Sequence, residues 1–150
     1  MIIAACDPDS ADAQVLLEEL SATLAGITGS SGKASFSSDD ARVARSLFVV
    51  ARSDGGLLLG CGALRPLEGE VGEIKRMYAR RGTRGVGTAL LAQMESAAAG
   101  FGYRALWLET RRVNVRAVGF YLGRGYAPIP NYGKYAGREE AVCLGKTLDR

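Results

Sequence analysis

The chain has 150 residues, of which 47% are hydrophobic and 23% charged, with a net charge of +3 and no histidine. That balance suits one soluble domain over 1–150 with a real core, and a charge this mild gives no reason to expect a nucleic-acid partner. Without histidine there is no Ser-His-Asp or Cys-His nucleophile system, no His-ligated zinc and no His general base.

Ile2 to Cys6 reads as a short apolar strand. Asp7-Pro8-Asp9-Ser10 is a turn with capping residues, and Ser10 to Leu24 has helical apolar spacing through Ala13, Leu16, Leu17, Leu20 and Leu24. Gly26 to Ser35 is a small-residue loop, and Ser37 to Asp40 would cap a short second helix over Ala41 to Arg45. Leu47–Ala51 and Leu57–Leu64 are strands joined by a Ser53-Asp54-Gly55-Gly56 hairpin turn. After a turn at Pro66 to Glu70, Val71–Tyr78 completes an antiparallel meander. A glycine turn and a helix lead to Gly100 and Gly102, which stop that helix. Ala105–Glu109 is then a strand, parallel to Val71–Tyr78 because a helix crosses between them. Asn114–Gly123 is a short helix, and Tyr126–Ile129 and Ala141–Leu148 are closing strands around a loop carrying Tyr132, Lys134 and Tyr135.

Cys6, Cys61 and Cys143 lie in apolar runs without metal spacing, as expected for free thiols in a reducing cytoplasm. The first ten residues lack the basic region of a signal peptide, and no uncharged run reaches the ~18–20 residues of a membrane span. No membrane or nucleic-acid partner is expected.

The stretch from Val71 to Phe101 is strand, glycine turn, helix, the last with apolar residues at Val86, Leu90, Leu91, Met94, Ala97, Ala98 and Phe101. A helix start offers unpaired N–H groups and partial positive charge, and Arg80, Arg81 and Arg84 add fixed charge. The reading is a site for a phosphorylated ligand, with a ligand-free glycine turn as the alternative. Gly82, Gly85 and Gly87 give G-x-x-G-x-G, which is not the Rossmann fingerprint. No Lys-Ser/Thr follows Gly87, so it is not a P-loop, and a kinase glycine loop would join two strands. The basic residues form two local clusters, around Lys75 to Arg84 and Arg111 to Arg116, which fit a small polyanion better than a DNA face.

Arg84-Gly85-Val86-Gly87-Thr88-Ala89-Leu90-Leu91 on a strand–turn–helix resembles the acyl-CoA pyrophosphate loop of the GNAT family of N-acetyltransferases, Q/R-x-x-G-x-G/A. Asn114-x-x-Ala117-x-x-Phe120-Tyr121-x-x-x-Gly125-Tyr126 resembles the family's second CoA-contacting segment. The element order also resembles the GNAT fold over essentially the whole chain. That fold is α/β (α+β), a mixed, mostly antiparallel sheet with a splayed parallel strand pair flanked by helices. One departure stands in the signature: its Gln/Arg position falls on Gly82.

The resemblance implies acetyl-CoA as co-substrate and no metal. It assigns Met77 and Tyr78 to the pantetheine arm, the amides of Arg84, Gly85, Val86, Gly87 and Thr88 to the pyrophosphate, and Asn114 to the pantetheine or the helix start, where a plain N-cap is the alternative. Tyr121 matches the tyrosine beside the CoA sulfur, a proton donor to the departing thiolate, or else a core aromatic. Glu73 is the first candidate base: it precedes Met77 by four residues on one strand, and so shares its face by the period-two rule. Glu109 is the second candidate. An acyl-enzyme on Cys61 or Cys143 has no adjacent base to support it.

The expected activity is direct transfer of acetyl from acetyl-CoA to a primary amine of a small molecule. The alternatives are a non-catalytic acyl-CoA sensor and a peptide or protein N-acetyltransferase. Thr28, Ser30, Ser31, Lys33, Tyr132, Lys134 and Tyr135 are expected at the acceptor wall, where the two lysines would favour an anionic acceptor or be ordinary surface. The sequence permits a homodimer without demonstrating one.

Overall fold

The structure, a computed structural model, describes residues 1–148. Its elements are β1 (Ile2–Ala5), α1 (Ala11–Thr28), β2 (Leu47–Arg52), β3 (Leu58–Glu68), β4 (Val71–Ala79), α2 (Val86–Gly100), β5 (Ala105–Arg111), α3 (Val115–Leu122), β6 (Ala127–Ile129) and β7 (Ala141–Thr147), with short 3-10 turns at Lys33–Ser35, Ser38–Ala41 and Gly133–Tyr135. Among the described residues the strands form one seven-stranded sheet, in the order β1-β2-β3-β4-β5-β7-β6. Every pair is antiparallel except β4 with β5. None of the described helices is long and apolar enough to cross a membrane.

The core lies on both faces of the sheet. On one, α2 lays Val86, Leu90, Leu91, Met94 and Ala98 against Leu64, Ile74, Leu106 and Leu108. Burying a side chain such as Leu90 or Met94, both 0% exposed, contributes about 2 kcal/mol. On the other face, α1 sets Ala13 and Leu16 against Phe48, Val50, Cys61 and Ala63. Ser10 caps α1, accepting from the Ala13 N–H at 3.3 Å. The helix continues past the expected Leu24 and stops where Gly29 turns left-handed.

The expected second helix over Ala41 to Arg45 does not form. A single 3-10 turn at Ser38–Ala41 replaces it, with the Ser37 N–H donating to Asp40 at 2.9 Å. The segment is too short to recover the cost of helix nucleation. Arg42 instead ties it to the β1–α1 turn, pairing with Asp7 at 2.9 Å and Asp9 at 2.5 Å.

Strand β4 is irregular at its centre. Cys61 faces Tyr78 and Ala63 faces Lys75, so Arg76 and Met77 together oppose Gly62. This is a β-bulge, and Arg76 takes φ +52° to make it. A non-glycine residue in the left-handed region costs about 1–2 kcal/mol. The Arg76 side chain offsets it under α1, donating to Ser31 O at 3.1 Å, Leu17 O at 3.4 Å and Ser21 Oγ at 2.5 Å. The extra residue reverses the facing downstream. Met77 joins Ile74 and Met94 on the α2 face, whereas Glu73 stands beside Arg65 on the other. The expectation that Glu73 and Met77 share a face is therefore corrected: the period-two rule fails across a bulge.

The parallel pair is short. Val71, Gly72 and Glu73 are in register with Ala105, Leu106 and Trp107, and the pairing ends there. Beyond it β4 runs on to Ala79, while β5 stays tied to β7 as far as Arg111. The two central strands splay into a cleft whose backbone edges face no strand.

Candidate active site

The cleft is walled by Ile74 to Met77 of β4 and Leu108 to Arg111 of β5. Asn114, Ala117 and Tyr121 close one side, and Leu20, Leu24 and Thr28 of α1 the other. Splayed backbone edges carry N–H and C=O groups that a ligand's amides can pair with, as another strand would.

The glycine turn stands at the start of α2. Gly82 has φ +83° and Gly85, the N-cap, has φ +71°. A Cβ added at either would meet nothing within 4 Å, so the ground in front of the helix is open. Val86, Gly87 and Thr88 occupy the first turn, whose amides have no intrahelical acceptor. Gly87 has a second reason to lack a side chain: a Cβ would lie 3.2 Å from the Phe120 ring of α3. Arg81 and Arg84 make no ion pair among the described residues. Arg80 does, so it is not the free cation the sequence pattern implied: it grips Glu19 at 2.9 and 2.7 Å and donates to Leu58 O at 3.0 Å. Arg80 holds the Glu19 carboxyl below its usual range. Open amides, a helix start and exposed arginines are the chemistry a pyrophosphate requires, so the residues present fit the polyanionic end of acetyl-CoA.

Arg124, which the sequence reading missed, adds to this end. It lies over the Phe120 ring at 3.9 Å and donates to Thr88 Oγ1 at 3.0 and 2.7 Å. Its only sequence signal was its place among the unspecified positions between Tyr121 and Gly125.

Of the remaining candidates, the cleft brings together Met77, Asn114, Tyr121 and Glu109. The Tyr78 side chain does not line it, its hydroxyl turning under α1 to donate to Glu19 at 3.0 Å, while its backbone stays on the β4 edge beyond the parallel pairing. Asn114 caps α3, with Oδ1 accepting from the Ala117 N–H at 3.3 Å. Tyr121 is 8% exposed, packed edge-on against Phe120 and Tyr126 at 5.1 and 5.6 Å between ring centres. Its hydroxyl has no hydrogen-bond partner among the described residues. Burial pushes its pKa well above the usual phenol value, so it is held protonated.

The two carboxylates differ in what they have left to give. Glu73 is 2% exposed; Oε1 accepts from Arg65 Nε at 2.9 Å and Oε2 from the Tyr132 hydroxyl at 2.5 Å, with Lys75 Nζ at 3.7 Å. Both oxygens are engaged, and the residue lines an adjoining chamber rather than the cleft. Glu109 lines the cleft, and its Oε2 is buried without a hydrogen bond. Burial raises its pKa above the usual carboxylate value, with Arg111 opposing the shift. Arg111 Nη1, 3.7 Å from that oxygen, is also buried without a partner. The thiols offer no rival chemistry, because burial pushes Cys61 up to about 12 and also raises Cys143.

Known proteins agree with this geometry. The sequence profile of the Acetyltransferase (GNAT) family matches residues 15–126. An "IAA acetyltransferase" of Azospirillum brasilense is 35% identical over 104 residues, 67% of each chain. A Klebsiella pneumoniae subsp. pneumoniae protein with a provisional acyl-CoA N-acyltransferase assignment superposes with a TM-score of 0.81 at 26% identity, over 99% of this chain and 97% of that one. A Bacillus anthracis str. Ames chain, provisionally named a streptothricin acetyltransferase and solved with acetyl coenzyme A, has a TM-score of 0.60 at 23% identity. It matches 69% of this chain and 63% of its own, a likeness of fold. With its splayed β4–β5 cleft and its glycine turn at the start of α2, this chain belongs to the GNAT family and is an acetyl-CoA-dependent acyltransferase.

Proposed function

We propose that the protein transfers an acetyl group from acetyl-CoA to the primary amine of a small molecule, by direct attack while both substrates are bound. The observation that carries this reading is a pair of groups lining the cleft without a hydrogen bond, Glu109 Oε2, which has Arg111 3.7 Å away, and the Tyr121 hydroxyl. Glu109 takes a proton from the incoming ammonium. The amine nitrogen bonds to the acetyl carbonyl carbon, the C–S bond breaks, Tyr121 gives its proton to the CoA sulfur, and the second proton, which the nitrogen must lose to become an amide, restores the Tyr121 hydroxyl. A backbone N–H on the unpaired edge of β4 polarises the acetyl carbonyl. The base is thus Glu109 rather than Glu73, whose oxygens Arg65 and Tyr132 already occupy.

The test is release of free CoA thiol from acetyl-CoA across a panel of amines, with IAA, for which the Azospirillum relative is named, included. Amine-dependent release with the matching N-acetyl product supports the reading. Stabilisation by CoA without release on any acceptor would establish a sensor instead.

A further inference from the structure

The cleft opens into a second chamber, which shares Ala34, Ser35, Lys75, Lys134 and Tyr135 with it. Its charged groups are Lys33, Lys75, Lys134 and Arg65 against Asp40 and Glu73. The two carboxylates are already satisfied. Arg65 bridges them, at 3.0 Å to Asp40 and 2.9 Å to Glu73, and Tyr132 takes the other Glu73 oxygen. Lys75 is 9% exposed and donates to the Tyr135 hydroxyl at 2.8 Å, 3.7 Å from Glu73. Lys33 and Lys134 have no carboxylate partner among the described residues, although Lys134 lies over the Tyr135 ring at 5.6 Å. The chamber therefore carries more positive charge than its own acids neutralise, and the surplus sits on Lys33 and Lys134, exposed residues that line it beside the cleft.

Resting on the amine-acetylation reading, we propose that the acceptor is an amino-acid-like zwitterion: its amine sits at Glu109 in the cleft, and its carboxylate lies in the chamber between Lys33 and Lys134. The arrangement sorts the two charges of one small molecule. Glu109, whose Oε2 has no hydrogen bond, attracts the ammonium, and the unpaired lysines attract the carboxylate. Acceptors without an anion leave both lysines without a partner, and polyamines place cations against cations. Tyr132 packs tilted against the Trp107 ring at 5.4 Å between centres and edge-on against Tyr135 at 5.5 Å, which stiffens the wall that presents Lys134.

The experiment measures thiol release by the full chain with acetyl-CoA and matched acceptors. These are L-alanine, L-phenylalanine and L-glutamate, their carboxamides and decarboxylated amines, spermidine, and phosphoethanolamine. The expected result is a kcat/KM at least about tenfold higher for the carboxylates than for their amides, carried by KM, with spermidine poorest. Lys33→Gln and Lys134→Gln should each shrink that ratio, and Lys134→Arg should restore it. A thermal melt of each variant separates loss of fold from loss of recognition. Equal use of acids and amides would overturn the inference while leaving acetyl transfer standing. So would a preference for phosphoethanolamine, since the shared anion recognition would then belong to a phosphate. If no acceptor turns over, calorimetric binding of the amino acids and amides to the CoA-bound protein still decides the point: equal affinities would overturn it.

Discussion

At the scale of the residue, the site turns on which polar atoms are left unpartnered. Glu109 Oε2 is buried without a hydrogen bond, with Arg111 3.7 Å away, and burial raises the carboxyl's pKa. A base must be deprotonated to act, so the rate should rise as pH passes that raised value. Glu109→Gln should remove this limb and lower kcat about 10²–10³-fold, measured by thiol release across pH. The sign of the stability effect is opposite. A carboxyl whose folded pKa is raised contributes stability below its unfolded pKa, and that contribution is lost as pH rises through the folded value. Glu109→Gln should therefore melt at or above the parent temperature at neutral pH while being far slower. Glu73→Gln should do the reverse, because the amide oxygen can accept from only one of Arg65 and Tyr132, the other meets the amide NH2, and the charge that pairs with Arg65 is lost; the expected cost is about 1–3 kcal/mol in denaturant unfolding. Tyr121→Phe removes a hydroxyl that has no hydrogen-bond partner among the described residues, so stability should hold while kcat falls about 10²-fold and KM for acetyl-CoA stays close to the parent's. Equal losses in kcat and acetyl-CoA affinity would refute the acid role.

At the scale of the element, the start of α2 and the bulge in β4 do different work and were not equally legible. The glycine turn could be read from spacing, because only glycine takes φ +83° and +71° at Gly82 and Gly85 without strain, and because an apolar helical stripe follows. Gly85→Ala should cost about 1–2 kcal/mol and raise KM for acetyl-CoA, since the αL strain tilts the Val86 to Thr88 amides; an unchanged KM with lowered stability would separate the turn from phosphate binding. The bulge left no such mark. Arg76 adopts φ +52° because α1 and the loop after it supply three acceptors for its guanidinium, Leu17 O and Ser21 Oγ from the helix and Ser31 O from the loop, the two carbonyls 59 and 45 residues away in sequence. No local pattern encodes that. It is why the period-two rule sets Glu73 on the face of Met77, where the structure does not have it. The second helix failed for a related reason. Its caps at Ser37 and Asp40 are real, but Arg42 binds the acids of a distant turn, and tertiary pairing overrides a marginal local preference. Asn114 was legible as a cap, and Arg124 only once Thr88 and Phe120 had been brought beside it.

At the scale of the whole molecule, the splay divides the sheet. Strands β1 to β4 form one part and β5 to β7 the other, joined directly through three registered residue pairs of β4 and β5. Below the cleft, α2 packs on β2, β3 and β4 and α3 on β5, and their apolar side chains join one core with Leu64, Ile74 and Leu106. Above it nothing in the sheet replaces the missing pairing, so the edges from Ile74 to Ala79 and from Leu108 to Arg111 are held apart by their other neighbours, β3 and β7. A ligand whose amides bridge those edges and whose phosphates seat on the start of α2 ties the two parts together. It binds the folded state alone, because neither the splay nor the helix start exists in the unfolded chain. CoA at about 100 times its Kd should then stabilise the protein by about 2.7 kcal/mol, a rise of roughly 5–10 °C in Tm for a chain of this size. Pantetheine, which lacks the pyrophosphate, should give a smaller shift at the same concentration. The difference between the two should shrink with added salt, because Arg81 and Arg84 are exposed and screened. A CoA shift equal to the pantetheine shift at low salt would mean that the turn at Gly82 to Thr88 contributes no phosphate binding, with Gly82 at the Gln/Arg position of the family signature as the physical cause.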